Sequence, residues 1–134
     1  MAKLEMIEGI AEVSAQKLRA AGVKSIEALL SGGATAKGRK EIAARSGLRD
    51  GDVLRWVNHA DLMRIKGVGG EYSELLEAAG VDTVAELARR SAANLYVAMS
   101  AANAEKKKVR KLPTEKQVTD WVTQAKALPR IVEY

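Results

Sequence analysis

Two glycine turns in this sequence have the residue types and spacing to bind phosphate. They are Ile7-Glu8-Gly9-Ile10 and Ile65-Lys66-Gly67-Val68-Gly69, and each precedes a stretch with helical periodicity. The first turn of a helix presents unpaired N–H groups at the positive end of the helix dipole, and such groups hold phosphate oxygens. Gly67 and Gly69 would allow the tight turn, with Val68 in the core between two helices. The alternative is that each turn only packs two helices together.

Basic side chains that could contact the same kind of ligand fall in two segments of a chain with a net charge of +5. Clustered cations attract a phosphate backbone whatever its base sequence. For the first segment the alternative is a solvated surface without a ligand. For the second, the choice lies between a flexible arm against nucleic acid and a solvated loop. The segments contain Lys37, Arg39, Lys40, Arg45 and Arg49, and then Lys106, Lys107, Lys108, Arg110, Lys111 and Lys116.

Several classes of function have no support in the sequence. Cysteine is absent, and His59 is the single histidine, so the sequence predicts no thiol chemistry, no metal site and no cofactor. No nucleotide-binding or nucleophile motif is present, and we expect a non-enzymatic protein. The N-terminus lacks the apolar run of a signal peptide, and no apolar stretch approaches ~18 residues. The expected location is cytoplasmic, without membrane contact.

An internal repeat organises the elements that must position these residues. A shift of 58 aligns Ile7 through Leu30 with Ile65 through Ala88, so that Gly22 meets Gly80. A shift of 65 aligns Trp56-Val57 with Trp121-Val122. The second copy has therefore gained seven residues, which we place near the basic run at 106–111. Because the two tryptophans occupy matching positions, we expect them to anchor the core.

Helix signals recur in the same order in both copies. In the first copy we predict helices over 11–21, 26–30, 40–45 and 52–63. Glycines end the first three, and Ser25 is a plausible N-cap of the second. In the second copy Gly80 ends a helix, and Thr83 with Glu86 predicts a capping box. Thr114 with Gln117 predicts another capping box at the start of the last helix, which runs through Ala127.

The turn at Gly67 resembles those of the helix-hairpin-helix superfamily, and nearly the whole chain is similar to the DUF4332 family of duplicated helix-hairpin-helix proteins. That family is without an established function. The residues that carry the resemblance are Ile7-Glu8-Gly9-Ile10, the segment from Gly33 to Lys40, the segment from Trp56 to Gly69, and Trp121-Val122.

The resemblance to the superfamily implies hairpins that hold a DNA backbone, sometimes with a monovalent cation on loop carbonyls. Two features of this chain depart from that pattern. Ala11 stands where the second copy has Gly69, which predicts a less free turn in the first copy. Glu12 and Glu71 lie at the helix starts, where a carboxylate suits the helix dipole but repels phosphate.

The predicted fold is therefore all-α, with two tandem helix-hairpin-helix-containing repeats packed into one compact unit. The repeats occupy residues 1–63 and 64–128, the second with a basic insertion near 105–112, and residues 129–134 form a tail. We expect weak, sequence-independent binding of a DNA or RNA backbone. The alternative is a protein-interaction or scaffold module, or a self-associating one, that uses the acidic helix from Glu71 to Glu77 and the tail.

The predicted nucleic-acid contacts come from both turns and both basic segments. They are Gly9, Ile10, Lys37, Arg39, Lys40, Lys66, Gly67, Val68, Gly69, Lys106, Lys107, Lys108, Arg110 and Lys111.

Overall fold

Eight α-helices and one short 3-10 helix make up the regular structure of the computed structural model, which describes residues 2–134. All regular structure within that range is helical, which confirms the all-α prediction. The 3-10 helix covers Leu4–Met6. The α-helices are α1 (Glu12–Ala20), α2 (Ile26–Gly32), α3 (Ala36–Ser46), α4 (Asp50–Leu62), α5 (Gly70–Ala78), α6 (Val84–Leu87), α7 (Ala92–Glu105) and α8 (Glu115–Ala127).

The helix ends follow local sequence signals. The Ser25 hydroxyl accepts a hydrogen bond from the Ala28 amide at 3.0 Å and caps α2. Thr114 and Gln117 form the predicted capping box at the start of α8. Gly22 and Gly80 adopt left-handed φ angles of 92° and 94° just after α1 and α5. In each case the amide three residues beyond the helix bonds back across the turn, from Val23 to the Leu18 carbonyl and from Val81 to the Leu76 carbonyl.

The helix bounds reproduce the repeat predicted from the sequence. Helix α1 covers Glu12–Ala20 and α5 covers Gly70–Ala78, which is the 58-residue shift at both ends. Helix α4 covers Asp50–Leu62 and α8 covers Glu115–Ala127, which is the 65-residue shift at both ends. Most of the seven added residues lie between α7 and α8. That connection covers residues 106–114, whereas α3 and α4 are joined by residues 47–49 alone.

The start of α3 differs from the prediction. The helix begins at Ala36 rather than at Lys40, and the Thr35 hydroxyl caps it by accepting from the Gly38 amide at 3.0 Å. Gly38, which resembles a helix breaker, instead permits close contact with the backbone carbonyl of Gly32. Helix α7 was not predicted either. Because Ala, Asn and Ser alternate with scattered apolar residues along it, no single apolar stripe marks its period.

The chain forms two units, each built from four α-helices. The first ends at Asp61 and also includes Ile131–Tyr134, and the second covers Leu62–Arg130. In the first unit the buried apolar side chains include Ile7 and Ile10 beside the Gly9 turn. In the second, Val68 and Trp121 belong to one core cluster, most of whose side chains come from α5 through α8. Within residues 2–134, no helix has the length and apolar character needed to cross a bilayer.

Candidate functional site

The Gly67 turn, residues 65–69, is fastened to the last helix of its own unit. The Gln124 side chain accepts from the Lys66 amide at 2.9 Å and donates to the Lys66 carbonyl at 3.1 Å. The Val68 amide closes the turn on the Ile65 carbonyl at 3.1 Å. Val68 is buried, and Lys66, Gly67 and Gly69 are exposed. Lys66 therefore presents its ammonium group from a fixed backbone.

A buried tryptophan in each unit explains why glycine occupies the same position in both turns. A Cβ atom at Gly9 would lie 2.7 Å from Nε1 of Trp56, and one at Gly67 would lie 3.0 Å from Nε1 of Trp121. Of these two glycines, Gly67 has a positive φ, of 97°, and Gly9 does not. Both tryptophans are buried, as predicted. Each turn glycine thus serves the packing of an indole ring, which sequence reasoning did not connect with it.

The helices that follow the two turns start without a side-chain cap. Neither Ala11 before α1 nor Gly69 before α5 has a side-chain capping bond. Ser or Thr side chains cap five other helices, namely α2, α3, α6, α7 and α8. Helix α5 makes its first backbone bond from the Ser73 amide to the Gly69 carbonyl, so the amides of its first turn are not used by the helix.

Gly69 is not required for the geometry of its turn. Its φ and ψ are −100° and −164°, close to the −90° and −178° of Ala11 in the first copy. A Cβ atom at Gly69 would meet nothing within 4 Å. The expectation that Ala11 makes its turn less free is therefore wrong, since both residues hold the same extended conformation.

The basic loop, residues 106–114, is held in place by Asn103 of α7. The Asn103 carboxamide oxygen accepts from the amides of Lys108 and Val109 at 2.7 and 3.0 Å, and its nitrogen donates to the Val109 carbonyl at 3.3 Å. Val109 is buried, whereas Lys106, Lys107, Arg110 and Lys111 are exposed. These bonds fix the backbone at Lys108 and Val109, and four basic side chains beside them are exposed.

Tyr72 brings the basic loop beside the start of α5. Its hydroxyl donates to the Lys111 carbonyl at 3.0 Å, and its ring lies 5.3 Å from that of Trp121 between centroids. Lys108 forms an ion pair with Glu74 of α5 at 3.1 Å, so its charge is partly neutralised. The second unit therefore places the Gly67 turn, the uncapped start of α5 and the basic loop next to one another.

The basic residues of α3 belong to the first unit and are not equivalent to one another. Lys37 and Lys40 are exposed, but Arg39 is only 6% exposed. One terminal nitrogen of Arg39 donates to the carbonyls of Gly33 and Ala34, and the other donates to the carbonyl of Glu133. Burial removes the Arg39 guanidinium from the surface, so we leave it out of the proposed contacts.

The surroundings of the Gly9 turn are acidic and apolar. Glu8 and Glu12 are exposed there, and so are Met6 and Val13, at 52% and 64%. Nearby, Glu5 forms an ion pair with Arg19 at 2.6 Å. The hydrogen bond from Arg19 lowers the pKa of Glu5, which keeps this carboxylate ionised. Ile10 is buried beside the turn. The first turn therefore lacks the cationic setting of the second.

Part of the surface that we expected to bind protein partners instead makes contacts within the chain itself. Val132 near the C-terminus is 1% exposed, and the Glu133 amide donates to the Ala34 carbonyl at 2.7 Å. The acidic helix from Glu71 to Glu77 gives Glu74 to the ion pair with Lys108. Among residues 2–134, no three His, Asp or Glu side chains gather to form a metal-binding group. His59 is buried in α4.

Fold and site together define a duplicated all-α protein that has a cationic surface on its second unit. The family model for DUF4332, a domain of unknown function, matches residues 8–128, and the chain belongs to that family. No curated protein and no solved structure matches the chain.

Proposed function

We propose that this protein is a non-enzymatic binder of nucleic-acid backbone that acts through its second unit. The binding is weak and independent of base sequence, because its contacts go to phosphate. The contacting groups are the exposed cations Lys66, Lys106, Lys107, Arg110 and Lys111 and the amides at the start of α5. DNA and RNA backbones share this phosphate chemistry.

The observation that carries the proposal is the hydrogen bond between the Tyr72 hydroxyl and the Lys111 carbonyl, at 3.0 Å. It joins the first turn of α5 to the basic loop, two features that lie far apart in the sequence. A phosphate at the start of α5 would meet both free amides and neighbouring cations. Glu71 is also exposed there, and its charge opposes tight binding. The combination favours an affinity that salt weakens strongly.

The Gly9 turn does not contact nucleic acid in this proposal. Its exposed carboxylates, Glu8 and Glu12, would repel a phosphate backbone at the equivalent position. Gly9 and Ile10 then act through packing, against Trp56 and in the core of the first unit. Duplication followed by divergence would leave one binding surface, supplied by the second copy.

Fluorescence anisotropy with labelled duplex DNA, single-stranded DNA and RNA tests the proposal across a range of salt concentrations. The double variant Lys107→Ala/Lys111→Ala removes two exposed cations but leaves the Lys111 carbonyl for Tyr72. We expect weaker binding and a salt dependence of log K that is shallower by about two units, because each phosphate contact contributes roughly one. Lys108 stays unchanged, since its substitution would also break the pair with Glu74.

The matched control is Lys17→Ala/Lys24→Ala, which removes the same charge from exposed positions of the first unit. It should leave the salt slope within error of the parent chain. Equal effects from the two double variants would mean that only net charge matters and would contradict a defined surface. No binding at low salt would reject the proposal and leave protein interaction as the function to pursue.

A further inference from the structure

The last four residues of the chain, Ile131–Tyr134, occupy a groove in the first unit. The turn between α2 and α3 supplies the Ala34 carbonyl, which accepts from the Glu133 amide at 2.7 Å. Arg39 supplies a terminal nitrogen that donates to the Glu133 carbonyl, also at 2.7 Å. Val132, one residue earlier, is 1% exposed. The groove therefore grips both backbone groups of one residue and buries the side chain before it.

The guanidinium of Arg39 is built into this groove. Its other terminal nitrogen donates to the Gly33 and Ala34 carbonyls at 2.9 and 3.1 Å, which fixes its plane against the turn. An arginine held in this way presents its remaining donors in a fixed direction. The two bonds to Glu133 use only backbone atoms of the occupant, so the groove recognises a main chain with an apolar residue at one position.

The segment that leads into the groove is suited to exchange between chains. Leu128 has an extended backbone, with φ −99° and ψ 142°, as expected before a proline. Arg64 donates to the Pro129 carbonyl at 2.8 Å within the second unit. The last four residues thus follow a short, extended and anchored connection. Terminal segments are among the parts of a fold that can open without global unfolding.

We propose that this groove also receives Ile131–Tyr134 from a second copy of the chain, giving a dimer by reciprocal exchange of C-terminal segments. Each groove in the exchanged dimer makes the same hydrogen bonds and buries the same valine as in the monomer. Such identical contacts make segment exchange a low-cost route to dimers. In the monomer, the chain's own segment competes for the groove at a high effective concentration. The exchanged dimer therefore forms in larger amounts only as the protein concentration rises.

The absence of cysteine from the chain allows a direct test. Full-length Ala34→Cys and Glu133→Cys chains are mixed at high concentration, incubated, and then oxidised. A disulfide between positions 34 and 133 in this mixture can join only two different chains. Mass spectrometry of the linked peptides measures its yield. We expect at least about tenfold more of this product than from a collision control, given millimolar effective concentrations for a seated segment.

The collision control pairs Glu133→Cys with Ala20→Cys, which lies on an exposed part of the first unit. A yield for the 34–133 pair no higher than for the 20–133 pair would overturn the proposal. A second arm adds Val132→Asp to the Glu133→Cys chain. Since a carboxylate cannot be buried cheaply in the groove, the 34–133 yield should fall to the control level. An unchanged yield would show capture outside the groove and would equally overturn the proposal.

Discussion

Two glycines of the turns, Gly9 in the first copy and Gly69 in the second, carry different constraints, and alanine substitutions should separate them. Gly9→Ala places a methyl group against the Trp56 indole and should destabilise the protein by roughly 1–3 kcal/mol through overpacking. Gly69→Ala meets open space at a compatible φ of −100° and should stabilise it by about 0.4–1 kcal/mol. Urea denaturation measures both. Destabilisation of similar size by both variants would contradict this assignment.

Arg39 and Lys40 are neighbours in α3 with opposite environments. Arg39→Ala removes three hydrogen bonds from a charged, buried donor and should lower the free energy of unfolding by about 2–3 kcal/mol. Lys40→Ala changes an exposed position and should stay within about 0.5 kcal/mol of the parent chain. Thermal denaturation of the two variants makes the comparison. An Arg39 variant as stable as the Lys40 variant would mean that the buried guanidinium contributes nothing.

Sequence analysis predicted the roles of residues that interact with their neighbours along the chain. Ser25, Thr114 and Gln117 cap their helices as predicted, because a cap depends on the three or four residues that follow it. The inward direction of Arg39 could not be read in this way. Its partner Glu133 lies 94 residues away in sequence, and nothing in the spacing of Lys37, Arg39 and Lys40 marks one of them as buried.

At the scale of elements, Asn103 of α7 makes three of the hydrogen bonds that order the basic loop. Asn103→Ala leaves the amides of Lys108 and Val109 without their acceptor and should loosen residues 106–111. Limited digestion with trypsin, which cleaves after Lys and Arg, should then cut this loop faster. Asn94→Ala, at an exposed position near the start of the same helix, is the control. Equal cleavage rates in the two variants would mean that Asn103 does not order the loop.

Helical periodicity and the repeat shifts predicted the order and bounds of most helices, but not the structure of the segments that connect them. Two helices, α1 and α4, begin and end within two residues of their predicted bounds. The repeat shifts of 58 and 65 residues give the bounds of their counterparts, α5 and α8. We placed the basic insertion near 105–112, and residues 106–114 connect α7 and α8, yet the sequence of this segment could also be interpreted as a flexible arm. Its order comes from the Asn103 bonds to Lys108 and Val109 and from the bond between Tyr72 and Lys111, which are 39 residues apart. Tertiary contacts of this kind leave no periodic signal.

At the scale of the whole molecule, duplication has kept the packing and changed the surfaces. Both copies keep a tryptophan against a turn glycine and a glycine-ended helix after that turn. Outside this shared frame the second copy has Lys66 and the basic loop, where the first has Glu8 and a three-residue connection. The first unit instead holds the C-terminal segment through Ala34 and Arg39. The two copies therefore share the packing of a tryptophan on a turn glycine and differ in the side chains and loops outside it.

Removal of the last four residues should therefore weaken the first unit more than the second. A chain ending at Arg130 loses the two hydrogen bonds of Glu133 and the buried Val132 side chain, together worth roughly 2–4 kcal/mol. Hydrogen exchange followed by mass spectrometry should show faster exchange in α2 and α3 than in the parent chain, with α7 and α8 little changed. A chain ending at Glu133 keeps the Val132 side chain and both hydrogen-bonding groups of Glu133, so its exchange in α2 and α3 should stay closer to that of the parent chain. Equal loss of protection in all four helices would contradict a segment that stabilises the first unit specifically.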